Sequence, residues 1–400
     1  VDSWLTLSLK SSPEDGAVMK RTILSGPAVI ADGEPSAAGQ VTEAVIVIEN
    51  GTIARVAPGL DTSADVVVRD GVIAPGFVEL QINGAYGSDF TTDAGSIVEV
   101  SARLPATGVT AFLPTIITSP FDGYPRLLAQ SREAVREARG SEVLGVHLEG
   151  PYLSPRRPGA HDPSLLRAID VDEILTWAAP DIVRIVTLAP ELPGAFDAIR
   201  SLRARGMIVS AGHSAATYEE ALAAFDAGIV MGTHLYNAMS PLGQREPGLM
   251  GALLMSSVPV DLIADGIHSH PAMLKLAYEC KGAAGIAIVT DAMEAMGMPA
   301  GTYRLGDRTV TVDGTTARLA DGTLAGSILT LDGGVRKMVE ATGCTLNEAL
   351  AMVSSTPARI IGLTRKGRIA AGCDADLAIL DATGSVAQTW ARGEQVYVRP

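Results

Sequence analysis

From about residue 72 the chain alternates two hydrophobic patterns. Short apolar runs rich in β-branched residues recur eight times: "GVIAPGFVELQIN", "VTAFLPTII", "VLGVHLE", "IVRIVTLAP", "MIVSAGHS", "IVMGTHLYNA", "VDLIADGIH" and "GIAIVTDAM". They predict strands. The stretches between them include "GYPRLLAQSREAVREARG", "PGAFDAIRSLRARG" and "TYEEALAAFDAG", each with helical periodicity and a glycine near its end, where helices prefer to stop. Thr217 to Glu220 matches a capping box, so that helix has a local reason to start there. Alternating strands and helices imply a parallel sheet, and eight pairs imply a closed (β/α)8 barrel of the TIM type. The other arrangement, an open doubly wound sheet, lacks support because no glycine-rich dinucleotide loop follows any of the strands.

The ends of the chain follow a different rule. Residues 21–73 and 366–400 hold short strands punctuated by Gly and Asp, with no helical period. They predict one small β-sandwich domain built from both termini, leaving 74–365 for the barrel. A hairpin-like insert, 302–327, follows the eighth strand. Two closing helices are predicted at about 328–342 and 345–360, the second opening on a capping box from Thr345 to Glu348. Residues 1–20 read as a tail, since "VDSWLTLSLK" lacks the basic segment and long apolar core of a secretory signal.

Composition narrows the class of partner. With 47% apolar residues and no low-complexity run, the chain has ample material for a core. A net charge of -14 argues against an extended nucleic-acid or anionic-membrane surface, although a local cation can still hold a small anion. No apolar run reaches the roughly 18–20 residues of a membrane span. Cys280, Cys344 and Cys373 are scattered and odd in number, which fits a reducing, cytoplasmic setting better than a disulfide framework or a thiolate metal site.

All six histidines lie between residues 147 and 270. His147, His213, His234 and His268 fall at or near the C-terminal ends of predicted strands, as does Asp291, and that end of such a barrel carries the chemistry. Taken singly, each has a plainer reading: a hydrogen-bonded structural histidine, a Glu149 paired with an arginine, an Asp291 capping a helix over "AMEAMG". Their convergence on one barrel mouth favours a shared cause. Glu149, His213 and His234 offer one carboxylate oxygen and two imidazole nitrogens, the donor set of a catalytic zinc or similar ion with a position left open for water. Asp291 is then the carboxylate placed to move a proton. His147 is left to packing or to supporting a ligand.

At these residues the chain resembles the metal-dependent amidohydrolase superfamily and, within it, the N-acetylglucosamine-6-phosphate deacetylase family. The resemblance rests on "APGFVELQING", "HLEGPYLSPRRPGAH", "AGHSAATYEEA", "THLYNAMSPLGQREPG", "DGIH", "TDAMEAMG" and "LAGS", and spans nearly everything after residue 20. It implies hydrolysis of the acetamido group of N-acetyl-D-glucosamine 6-phosphate to D-glucosamine 6-phosphate and acetate. Glu149, His213 and His234 would hold the ion, Zn2+ or else Fe2+, Co2+ or Mn2+, and Asp291 would act as base and then acid. His161 would contact the substrate carbonyl or sugar, while Asn237, the backbone of Ala238, Arg245 and His268 would bind phosphate. The resemblance further implies a homodimer in which Arg245 reaches the neighbouring subunit's site. Where many amidohydrolases carry His-x-His on the first strand, this chain has Gln81-Ile82-Asn83, so one strongly held ion is expected. Deacetylation of the galactosamine isomer, cyclic-amide hydrolysis and deamination are the enzymatic alternatives, and a non-catalytic sugar-phosphate binder is a further one.

Overall fold

The computed structural model describes residues 20–30 and 39–400, so the tail expected over 1–20 lies outside the described residues apart from Lys20. Eight parallel strands appear in the predicted order: β1 (Phe77–Ile82), β2 (Val109–Ile117), β3 (Val146–Glu149), β4 (Val183–Leu188), β5 (Ile208–Ala211), β6 (Met231–Gly232), β7 (Val260–Ile263) and β8 (Ile286–Val289). The ring closes just past β8, where the Asp291 amide donates to the Gln81 carbonyl at 2.9 Å and the Asn83 amide to the Ala292 carbonyl at 2.7 Å. The structure is a (β/α)8 barrel.

The strands are buried on both faces, which is why they read as continuous apolar runs rather than alternating ones. Leu148 packs with Ile174 and Trp177 in the large cluster between strands and helices. Its neighbours His147 and Glu149 therefore point the other way, into the barrel. Leu113, Ile185, Met231, Ile263, Ala287 and Val289 form a separate buried cluster with one residue or more from each of five strands. Fully burying each aliphatic side chain of this kind contributes about 1.5–3 kcal/mol.

Both chain ends enter a second, mixed sheet. Its order is Glu394–Val398, Val386–Ala391, Leu377–Asp381, Gly71–Pro75, Arg21–Ile30, Gln40–Glu49, Thr52–Pro58, with Val66–Val67 beside Arg21–Ile30. The strands expected as a sandwich are thus hydrogen-bonded into one sheet, which buries its own cluster of Leu24, Ile46, Ile48, Ile53, Ile73 and Leu377. The apolar run predicted as the first barrel strand is divided: Gly71–Pro75 pairs with Leu377–Asp381, and β1 starts at Phe77. Gly76 makes the passage, for a Cβ there would lie 2.3 Å from Thr110 Oγ1. The expected boundary at 73/74 falls inside the strand that precedes it.

The insert forms antiparallel strands Gly301–Leu305, Arg308–Val312 and Ala317–Arg318. Both capping boxes are present, at Thr217/Glu220 and Thr345/Glu348. The helix expected over 345–360 is two helices, Leu346–Val353 and Ser355–Ile360. Ser354 leaves helical geometry at φ -132° and ψ -82°, and Pro357 brings no N–H with which to continue the first helix. The residues after Asp291 turn without forming a helix, so Asp291 caps nothing.

Candidate metal centre and active site

A cavity of about 450 Å³ opens at the C-terminal ends of the strands. Glu149, His161, His213, His234, Asn237, Ala238, His268 and Asp291 line it. Arg245 does not. It lies exposed in the loop between Ala238 and the helix Gly248–Met255, and it makes no ion pair among the described residues. His147 is buried below the cavity, its Nδ1 3.2 Å from the Leu80 carbonyl and its Nε2 2.8 Å from Thr187 Oγ1. His270 caps the helix Pro271–Lys281, accepting from the Ala272 amide.

Glu149 ends β3, His213 follows β5 and His234 follows β6, so three strand ends deliver one donor each. Glu149 Oε1 lies 3.1 Å from His213 Nε2 and 3.0 Å from His234 Nε2, and the two nitrogens are 3.0 Å apart. These separations fall just below the roughly 3.3 Å edge of a tetrahedron whose bonds are about 2.05 Å. His213 Nδ1 donates to the Arg157 carbonyl at 3.1 Å, a partner that turns the lone pair of Nε2 toward the other two donors. Two imidazole nitrogens aimed at each other and at one carboxylate oxygen suit a divalent cation of borderline softness. Among the described residues this is the one group of His, Cys, Asp and Glu side chains that converges in this way.

The electrostatics favour positive charge at the same point. Burial alone would raise the Glu149 carboxyl, but the hydrogen bonds from His213 and His234 overcome it and hold that group well below the usual carboxylate range. Burial opposes a charged His234, yet Glu149, Asp291 and Asp261 push its pKa up to about 9. The negative charge of Glu149, with that of Asp291, thus draws a cation to the donors. His161 behaves oppositely, because burial and the neighbouring His213 lower it to about 3, leaving a neutral ring at ordinary pH. Its Nδ1 faces the amide and hydroxyl of Thr118, at 3.4 and 2.8 Å, and its Nε2 sits 3.9 Å from Glu149 Oε2.

Asp291 follows β8, and its Oδ1 accepts from Asn83 Nδ2 at 2.7 Å and Gln81 Nε2 at 3.2 Å. The two amides that replace His-x-His are therefore ligands of the aspartate. Burial, with the charge of Glu149, raises the Asp291 carboxyl to about 6. That value lies close to neutrality, where a carboxyl group can both take and give a proton. His268 is fixed by Asp265, whose Oδ2 is 2.7 Å from its Nδ1, leaving Nε2 as the free ring nitrogen.

His213, His234, Ala238 and Asp291 all have positive φ, between 33° and 49°. Such backbone costs about 1–3 kcal/mol per non-glycine residue and persists where the surroundings hold it in place. Sequence reading missed that strain, along with Thr118, the Arg157 carbonyl and the cavity walls supplied by Leu305, Thr323 and Leu324 of the insert. Thr118 had a usable signal, since it follows directly on the end of β2.

Residues 72–396 match the Amidohydrolase family. The chain is 42% identical over 338 residues to the N-acetylglucosamine-6-phosphate deacetylase of Bacillus subtilis (strain 168), covering 82% of this chain and 85% of that one. It is 39% identical over 354 residues to the N-acetylgalactosamine-6-phosphate deacetylase of Escherichia coli O157:H7, covering 87% and 93%. A variant N-acetyl-D-glucosamine-6-phosphate deacetylase from Mycobacterium smegmatis, solved in complex with N-acetyl-D-glucosamine 6-phosphate, superposes with a TM-score of 0.87 at 33% identity, over 94% of this chain and all of that one. With the Glu149, His213 and His234 cluster at the barrel mouth, these similarities mean that the chain belongs to the amidohydrolase family and, within it, to the N-acetylglucosamine-6-phosphate deacetylases.

Proposed function

We propose that the chain hydrolyses N-acetyl-D-glucosamine 6-phosphate to D-glucosamine 6-phosphate and acetate. The observation that carries this reading is the meeting of Glu149, His213 and His234 with Asp291 and His161 in one cavity of a family member. Glu149, His213 and His234 would hold a divalent ion, zinc in our reading, which would supply Lewis acidity for the amide carbonyl and for a water whose pKa such ions lower from about 15.7 towards 7. Asp291 takes a proton from the attacking water. As the C–N bond breaks, it returns that proton to the departing amine. The neutral His161 donates from Nε2 to the carbonyl oxygen, where negative charge develops. Asn237, the Ala238 amide and His268 bind the phosphate and so hold the acetamido group over the reacting centre. In this reading Arg245 completes a second copy's phosphate site, which makes the working form a homodimer. Free Cys280, Cys344 and Cys373 support a cytoplasmic setting.

A second reading, the galactosamine epimer as substrate, draws on the 39% identity to the E. coli enzyme. Acetate release from both phosphorylated epimers and from unphosphorylated N-acetylglucosamine, with metal content measured on the same sample, tests the proposal. It holds if release is fast from N-acetylglucosamine 6-phosphate, slow from the others, and accompanied by about one ion per chain. A fully metallated sample that releases no acetate from this sugar phosphate overturns it.

A further inference from the structure

We propose that Glu191 is a positioning residue that braces both halves of the active site, the ion-binding side at His213 and the phosphate side at Asn237 and Ala238. Glu191 stands just past β4 and does not line the cavity, so it touches neither ion nor substrate. Its carboxylate instead grips the two residues that follow His213: Oε2 accepts from Ser214 Oγ and Oε1 from the Ala215 amide, both at 2.7 Å.

Ser214 carries the grip onward. Its amide donates to the Ala238 carbonyl at 3.0 Å, and its carbonyl accepts from the Ser240 amide at 2.9 Å. Ser240 closes the frame, donating from Oγ to the Ala216 carbonyl at 2.6 Å while that oxygen accepts from the Leu249 amide at 2.7 Å. His213 and Ala238, at φ 46° and 49°, are the strained residues on the two sides of this frame. Strained backbone relaxes unless something outside the segment holds it. Charged hydrogen bonds to a fixed carboxylate are the strongest external hold the frame contains. Loosening it should therefore weaken ion retention and substrate affinity together, whereas loss of a group that only packs would lower stability and leave both unchanged.

The substrate half of this inference rests on the proposed deacetylation; the ion half does not. The test compares zinc-loaded full-length wild type, Glu191→Ala, Ser214→Ala and Glu191→Gln in two assays: the rate of zinc release to excess chelator, and kcat and KM for N-acetylglucosamine 6-phosphate. In Glu191→Ala, zinc release should quicken by about 10–100-fold, the usual effect of losing a group that orients a ligand. KM should rise about tenfold. Ser214→Ala should show the same changes in smaller measure. Glu191→Gln should stay near wild type, because its amide oxygen can accept from Ala215 while its NH2 donates to Ser214 Oγ. Wild-type zinc release and KM in both Glu191→Ala and Ser214→Ala overturn the inference. If Glu191→Ala does not fold, unchanged release and KM in Ser214→Ala alone overturn it. Should wild type itself not turn over this sugar phosphate, the deacetylation reading fails separately and zinc release decides the role of Glu191.

Discussion

Asp291 shows how much one side chain depends on its immediate neighbours. Its Oδ1 is committed to Asn83 and Gln81, which leaves Oδ2 as the oxygen for the proton transfer proposed above. Asp291→Asn keeps the shape and removes the basic oxygen. It is expected to bind ion and substrate as before while kcat falls by about 10²–10⁴-fold, as read by steady-state kinetics with metal analysis. Gly159 tests the ligand side. A Cβ there would sit 2.9 Å from His213 Cε1, and its φ of 56° is one that side chains rarely adopt. Gly159→Val should displace the ring and speed zinc loss by about tenfold in a chelator assay. The convergence of Glu149, His213 and His234 was legible because strand ends in a barrel announce where side chains meet. The supporting groups at Arg157 and Glu191 were not, since a backbone carbonyl carries no side-chain signal and a lone carboxylate three residues past a strand has no type-specific spacing; Thr118, directly after β2, could have been found. Arg245 was placed by motif alone, and its own chain leaves it outside the cavity.

Elements were easier to read than their seams. Burial on both faces made each barrel strand an apolar run, and the two capping boxes fixed their helix starts. Thr345→Ala removes the acceptor for the Glu348 amide and should cost about 1 kcal/mol in urea unfolding. The breaks at Gly76 and Ser354 escaped notice for a physical reason. At Gly76 hydrophobicity is continuous while the hydrogen-bond partner changes from the terminal sheet to the barrel. At Ser354 two helices meet without a polar gap, and only the local dihedral angles separate them.

At the scale of the whole molecule, Lys366 ties barrel to sheet. Its buried ammonium lies 2.7 Å from Glu142 Oε2 and from Asp376 Oδ2, and 3.1 Å from Asp374 Oδ2. Arg365 still pairs Asp374 and Arg392 still faces Glu142, but Lys366→Met leaves the buried Asp376 without its cation and should cost about 3–5 kcal/mol in denaturant unfolding. Glu79 sets a pH dependence. Burial raises its carboxyl from the ordinary 4.5 to about 8, against hydrogen bonds from the Gln81 and Thr290 amides. Between those values the folded chain binds more protons than the unfolded one, so this group's contribution to stability falls as pH rises, by up to about 1.4 kcal/mol per unit. Glu79→Gln should flatten that slope in urea titrations from pH 5 to 8; an unchanged slope means another group sets it. Arg245→Ala tests the proposal that this residue serves a second copy's phosphate site: on that reading KM for the sugar phosphate rises about tenfold or more while zinc content holds at wild type.

The sheet that receives both ends of the chain also orders events in time. Gly71–Pro75 lies between Arg21–Ile30, which precedes it in the chain, and Leu377–Asp381, which follows about 300 residues later. Until Leu377–Asp381 emerges from the ribosome, one edge of Gly71–Pro75 lacks that neighbour, and its unpaired amides and carbonyls invite pairing with another nascent chain. All eight barrel strands lie between the two in sequence and emerge first, so the edge stays open for the whole time that the barrel is being made.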